Sequence, residues 1–169
     1  MARVASIAME GMSVELKLVP VGGGTLALTH RPKKRDLPEY RGAGVTHLLT
    51  LLTEPEGAIE LGALAKSAGL AWLWCPLEGA ATSASVELVG PALHAAGAAV
   101  REGGSLVVHC SAGIHRTGMF GYELLRTLGL DRSTATSTLH ELRATTALGV
   151  GEERLRWGDR IAEALVGRN

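Results

Sequence analysis

Short apolar runs alternate along this chain with stretches of helical spacing, and that alternation sets the first expectation of its fold. Val14–Pro20 and Thr25–Thr29 flank Gly22-Gly23-Gly24 and read as the two arms of a hairpin. Three further runs, Val45–Leu52 (VTHLLTLL), Leu70–Cys75 (LAWLWC, stopped by Pro76) and Ser105–His109 (SLVVH), read as buried strands. Between them lie helical patterns. Asp36 is placed to cap a short helix ending near Ala43, and Glu56–Ala68 ends at Gly69. Ser83 or Ser85 is placed to cap a helix that reaches about Arg101 and stops at Gly103-Gly104. Thr117–Leu128, Asp131–Thr145 and Gly151–Val166 complete the helical set. Strands alternating with helices predict a single α/β domain with a central, mostly parallel sheet flanked by helices. Trp72 and Trp74, both in LAWLWC, are expected to face opposite sides of their strand.

Composition narrows this picture. At 169 residues the chain is long enough to bury a core without metals or disulfides, and one domain over residues 12–169 is expected. Residues 1–11 read as a disordered tail, or Met12 as the start. Aromatic residues make up 4%, so Leu, Val and Ala must fill the interior. A formal net charge of zero weighs against binding nucleic acid or anionic membrane by bulk charge. No apolar run is long enough to span a membrane, and Glu10 and Glu15 interrupt any signal-peptide core. Two cysteines, Cys75 and Cys110, suit a reducing compartment, so a cytoplasmic location is expected. The histidines are scattered without metal-ligand spacing.

The chemistry concentrates in residues 109–118, HCSAGIHRTG, between the strand SLVVH and a helix. In an α/β sheet this is the carboxyl end of a strand, where ligands bind. The helix N-terminus offers unpaired N–H groups and partial positive charge to an anion. Gly113 permits a turn that gathers the N–H groups of Ser111, Ala112, Gly113, Ile114, His115 and Arg116 into a nest, and Arg116 closes it with a two-pronged grip on phosphate. Dipoles converging on Cys110 favour its thiolate, the nucleophilic form. Thr117 is placed to donate its hydroxyl to the sulfur and make it a better leaving group, while His109 orients the loop.

The decapeptide resembles the HCxxGxxR(S/T) signature of the cysteine-dependent protein tyrosine phosphatase superfamily, with His115 where HCSAGIGRTG has Gly. The layout from about Gly24 onward is similar to the small dual-specificity phosphatases. The resemblance implies hydrolysis of phosphomonoesters, on phosphotyrosine, phosphoserine or phosphothreonine proteins, through a phosphocysteine, with no cofactor or metal. A catalytically weak phosphate-binding relative and a phosphatase of phosphoinositide, RNA 5′ end or small metabolite are the alternatives.

The family also uses an aspartate about thirty residues before the cysteine, on a mobile loop, as general acid and base. Here no Asp occurs between Asp36 and Asp131, and the expected loop, WCPLEGAATSAS, offers only Glu78. Glu78 is therefore the candidate acid, with Asp36 and Glu54 as fallbacks. The chain has no Gln to place the hydrolytic water, and Glu153 is the candidate stand-in. His115 is expected either on the pocket rim or packed on a neighbouring loop. His30, Arg31, Lys33, Lys34 and Arg35 form a basic run, read as a solvated loop or as a rim that recruits anionic substrates, with Arg31 and Lys33 foremost. Cys75 is a candidate redox partner of Cys110 or an inert buried thiol, on the expectation that LAWLWC neighbours SLVVHC.

Overall fold

The computed structural model describes residues 16–79, 82 and 84–168. The expected tail and the Ser83 cap lie outside these residues. Five strands run β1 (Val19–Val21), β2 (Gly24–Thr29), β3 (His47–Thr50), β4 (Ala71–Trp74) and β5 (Ser105–His109). Seven helices accompany them: α1 (Asp36–Gly42), α2 (Ala58–Ser67), α3 (Val86–Arg101), α4 (His115–Thr127), α5 (Arg132–Leu142), α6 (Ala144–Gly149) and α7 (Glu152–Val166). A 3₁₀ turn, Glu54–Glu56, precedes α2. The sheet order is β1-β2-β5-β3-β4, with β1 antiparallel to β2 and every other pair parallel. This is the α/β domain with a mixed, mostly parallel sheet that the alternation predicts.

Period-two alternation divides the core. Leu26, Leu28, Leu49, Leu51, Leu106, Val108 and Cys75 face one layer, built by α3, α4, α5 and α7. Ala27, Leu48, Leu52 and Val107 face the other, which α1 and α2 cover with Leu37, Tyr40, Ala58, Leu61 and Ala65. Trp72 and Trp74 both pack on this second layer, and their rings stack with centroids 5.6 Å apart. The expected opposite placement is corrected by the pleat itself, since residues two apart share a face. Gly62 of α2 makes room for them: a Cβ there would lie 2.6 Å from the Trp72 ring.

Several boundaries differ from expectation for local reasons. The Glu56–Ala68 helix is split, with the 3₁₀ turn ahead of Gly57 and α2 behind it. The Asp131–Thr145 helix breaks at Arg143, whose extended backbone separates α5 from α6. Asp36 does not cap α1. It is the helix's first residue, and its carboxylate reaches back to accept from the Lys33 N–H at 2.7 Å. Ser85 does cap α3, accepting from the Leu88 N–H at 3.3 Å.

Strand register decides what meets at the sheet's carboxyl edge. Thr29 pairs with His109, His109 with Thr50, and Thr50 with Trp74. The segments leaving β2, β5, β3 and β4 therefore emerge in one row: the basic run, HCSAGIHRTG, the Glu54–Glu56 turn and the Glu78 loop.

Candidate active site

The phosphate-loop candidate begins where β5 ends. Cys110 is buried, and its Sγ accepts from the Gly113 N–H at 3.2 Å. That bond needs the chain to fold back within three residues, which Gly113 permits at φ +73. A Cβ at Gly113 would also lie 2.4 Å from the Thr29 carbonyl, so only glycine fits between this loop and β2.

The loop's carbonyls are held from outside. Ser111 O accepts from the Arg31 N–H at 2.9 Å, and Gly113 O accepts from the Thr146 hydroxyl at 2.6 Å and Arg143 Nη1 at 2.7 Å. With these carbonyls tied off, the first N–H groups of α4, which no helix carbonyl can satisfy, are left for an anion. Sequence reading did not single out Arg143 or Thr146, because the α5–α6 break that presents them has no local signal beyond the tertiary contact itself.

Beneath the loop, His109 is fully buried. Its Nδ1–H donates to Cys110 O at 3.0 Å, and its Nε2 accepts from the Thr50 hydroxyl at 2.8 Å. Trp72 Nε1–H donates to the same hydroxyl at 2.9 Å. The carbonyl and the indole fix every proton in this chain, since one can only accept and the other only donate. Burial pushes the His109 imidazole down to about 4, opposed by its bond to Cys110 O and assisted by the charges of Arg31, Arg116 and His30. A neutral, fully bonded His109 ties the end of β5 to the Cys110 carbonyl and to Thr50.

Arg116 is buried and gripped from two sides. Nη1 and Nη2 meet Glu56 Oε2 and Oε1 at 2.8 and 3.0 Å, and Nη1 also donates to Leu77 O at 3.0 Å. The Arg116 fork holds the Glu56 carboxyl down at about 2, against the opposing effect of burial. Arg116 is correspondingly raised, first by the Glu56 bonds, with Cys110 contributing further down the order. Glu56 was missed in the sequence; its signal was Thr53-x-x-Glu56, a capping box that forms here around the 3₁₀ turn.

The remaining residues fall into place around this pair. Thr117 is buried in the first turn of α4, and its hydroxyl has no hydrogen-bond partner among the described residues. His115 is exposed at the first position of α4; Ser111 and Ala112 are exposed beside it and Ile114 is half-buried. Glu78 is exposed and directly follows Leu77, whose carbonyl binds Arg116, so its backbone stands at the pocket's edge. A groove of about 570 Å³ runs past it, lined by Thr53, Glu54, Trp74, Leu77 and Glu78 among others. Glu153 reaches the same loop, accepting from Thr82 Oγ1 at 3.4 Å. Asp36 is buried and engaged in the α1 turn, which removes it as a free acid.

Cys75 is not where the redox expectation needs it. β3 separates β4 from β5, and the register places Cys75 and Cys110 in one row two strands apart. That is about 10 Å between Cα atoms, beyond the ~7 Å a disulfide tolerates without backbone movement. Burial, with Glu123 nearby, pushes the Cys75 thiol up to about 12. It is a free, buried thiol. Among the described residues no cluster of His, Cys, Asp or Glu has the arrangement of a metal site, and no helix is long and apolar enough to cross a membrane.

Cys110 under the Gly113 N–H and an arginine braced by Glu56 and Leu77 thus come together at the carboxyl end of a parallel strand. A family model described as "Tyrosine phosphatase family" matches residues 80–139, the stretch that holds α3, β5 and the loop. The fold is that of solved phosphatases. Tk-PTP in its active form is 24% identical with a TM-score of 0.67, covering 86% of this chain and 95% of that one. Human DUSP28 is 20% identical with a TM-score of 0.68, covering 90% and 99%. TpbA from P. aeruginosa, in a variant form in complex with phosphotyrosine, is 19% identical with a TM-score of 0.58, covering 88% and 87%. No curated protein matches the sequence. The resemblance to the tyrosine phosphatases is thus borne out by the family match over residues 80–139, and the fold is one shared with small phosphatases of the dual-specificity kind.

Proposed function

We propose that this protein hydrolyses phosphomonoesters of protein side chains through a phosphocysteine. The observation that carries the reading is the facing pair: Cys110 Sγ under the Gly113 N–H, with Arg116 held by Glu56 at the same pocket. The Cys110 thiolate attacks phosphorus, forming an S–P bond as the P–O bond to the leaving oxygen breaks. Glu78 gives its proton to that oxygen. The Glu78 carboxylate then takes a proton from water, whose oxygen attacks phosphorus; the S–P bond breaks and inorganic phosphate leaves. Arg116 and the loop N–H groups neutralise charge on the phosphoryl oxygens in both steps. The Thr117 hydroxyl, buried and without another partner among the described residues, is available to donate to the departing sulfur. The phosphotyrosine bound by the TpbA variant supports a protein substrate.

The test is hydrolysis of para-nitrophenyl phosphate, an alkyl phosphate, and phosphotyrosine and phosphoserine peptides by wild type, Cys110→Ser and Glu78→Gln. Wild type is expected to turn over the aryl phosphate and the peptides, and Cys110→Ser to be inert. Glu78→Gln is expected to lose about 10²- to 10⁴-fold on the alkyl phosphate and less on the undemanding aryl one. A wild type as inert as Cys110→Ser marks a phosphate-binding relative without turnover. Full activity of Glu78→Gln on the alkyl phosphate removes Glu78 from the mechanism.

A further inference from the structure

The basic run beside the phosphate pocket has no role in the chemistry above. His30, Arg31, Lys33, Lys34 and Arg35 crowd into six positions of a chain whose formal net charge is zero. They leave β2 at the sheet edge where β5 delivers Cys110. The run is fastened to the phosphate loop, since the Arg31 N–H donates to Ser111 O at 2.9 Å. The Arg31 guanidinium turns toward the 3₁₀ turn and donates to Glu56 O, on the residue whose carboxylate braces Arg116. The Lys33 N–H is tied to Asp36, which fixes the bend and leaves Lys33, Lys34 and Arg35 exposed.

These cations are not neutralised from within. Arg116, Arg126, Arg132, Arg156 and Arg168 each meet a carboxylate, whereas Arg31, Lys33, Lys34 and Arg35 form no ion pair among the described residues. Beside them lies a cavity of about 270 Å³, lined by Arg31, Pro32, Lys33, Lys34, Glu60, Leu61 and Leu64. Three cations there face one carboxylate, Glu60. The cavity is at the small end of ligand pockets, so it suits one compact anionic group better than a lipid surface.

Reach is consistent with a group on the same substrate. From Arg31, at the phosphate loop, to Lys33 and Lys34 is two or three Cα steps of about 3.8 Å. An extended peptide advances about 3.3 Å per residue, so a side chain two or three positions from the phosphorylated one covers the same ground.

We propose that this cavity is a second anion subsite, taking an acidic side chain two or three residues from the phosphorylated residue of a peptide substrate. The proposal rests on the phosphatase reading above. The acidic side chain is a carboxylate or a second phosphate, recognised through the same cations.

The experiment measures kcat/KM on phosphopeptides that differ only at those flanking positions: Gln, Glu, phosphoserine or Lys. The enzymes are wild type, Lys33→Gln/Lys34→Gln and Lys33→Glu/Lys34→Glu. Exposed charge pairs are modest, so wild type is expected to prefer the Glu flank over Gln by about three- to tenfold at low salt, and phosphoserine by at least as much. The preference should shrink in high salt, fall to near one in the Gln double variant and reverse toward a Lys-flanked peptide in the Glu double variant. Equal kcat/KM on all flanks in wild type overturns the subsite. So does a preference that the double variants leave intact, and so does sedimentation of wild type with anionic vesicles without any flank preference. Para-nitrophenyl phosphate, which has no flank, reports separately on the phosphatase reading. Should wild type fail to hydrolyse it, binding of the same peptides decides the subsite alone, and a Kd ratio near one then overturns it.

Discussion

In the proposed reaction Arg116 presents its fork to phosphate, and three acceptors hold that fork in place. Glu56 supplies two and Leu77 O the third. Glu56→Ala removes two of the three, frees the guanidinium to swing and leaves it less well aimed. Because small displacements at a reacting centre are costly, kcat/KM for para-nitrophenyl phosphate is expected to fall about 10- to 100-fold, and a fall of less than twofold would show that Glu56 does not position the arginine. The grip is also insensitive to ordinary pH. The Glu56 carboxyl ionises near 4.5 in the unfolded chain and at about 2 in the folded one, so its contribution is present above pH 4.5 and lost only as pH falls through 2. Cys110, Gly113, Arg116 and Thr117 could be grouped from the sequence because they lie within one short stretch whose spacing the proposed chemistry needs, and the fold keeps them in one loop and the first turn of α4. Glu56 could not, because its capping box explains it fully without the arginine it meets. Trp72 and Trp74 share a face, against expectation, because side chains two apart on a strand point the same way.

At the scale of elements, α4 carries the loop at one end and a misfit further along. From Arg116 to Leu125 every residue is buried, including Glu123, whose two carboxylate oxygens have no hydrogen-bond partner among the described residues. Burial raises the Glu123 carboxyl to about 9. The unfolded chain gives up that proton near 4.5, so between 4.5 and 9 only the unfolded state is ionised. The stability Glu123 permits is whole below 4.5 and is lost as pH rises through 9, on the order of a few kcal/mol in all. Thermal melts from pH 5 to pH 10 should therefore fall more steeply in wild type than in Glu123→Gln, and identical slopes would refute the assignment. The elements themselves were largely legible, since apolar runs and glycine stops mark β5 and α3 almost to the residue. Their order was not. β5, last in sequence, inserts between β2 and β3, and no local pattern records that insertion. The expectation that LAWLWC neighbours SLVVHC, and with it the Cys75–Cys110 pairing, failed for this reason.

For the molecule as a whole, one fact of topology assembles the site: four segments, distant in sequence, leave parallel strands on one edge. That edge is polarised. The basic run lies on one side of the phosphate loop, and Glu54 and Glu78 line the groove on the other. Net charge zero concealed this, because formal charge sums over a surface that the fold then sorts. The α/β class was readable from the alternation of elements, while the sorting of charge followed only from strand order and register. The central claim is that phosphate passes through Cys110. It is tested most directly by quenching wild type during turnover of a labelled phosphopeptide and mapping the label by mass spectrometry. Phosphate on the Cys110 sulfur in wild type, and none in Cys110→Ser, is the predicted result; turnover with no label on Cys110, sustained in Cys110→Ser, would contradict it.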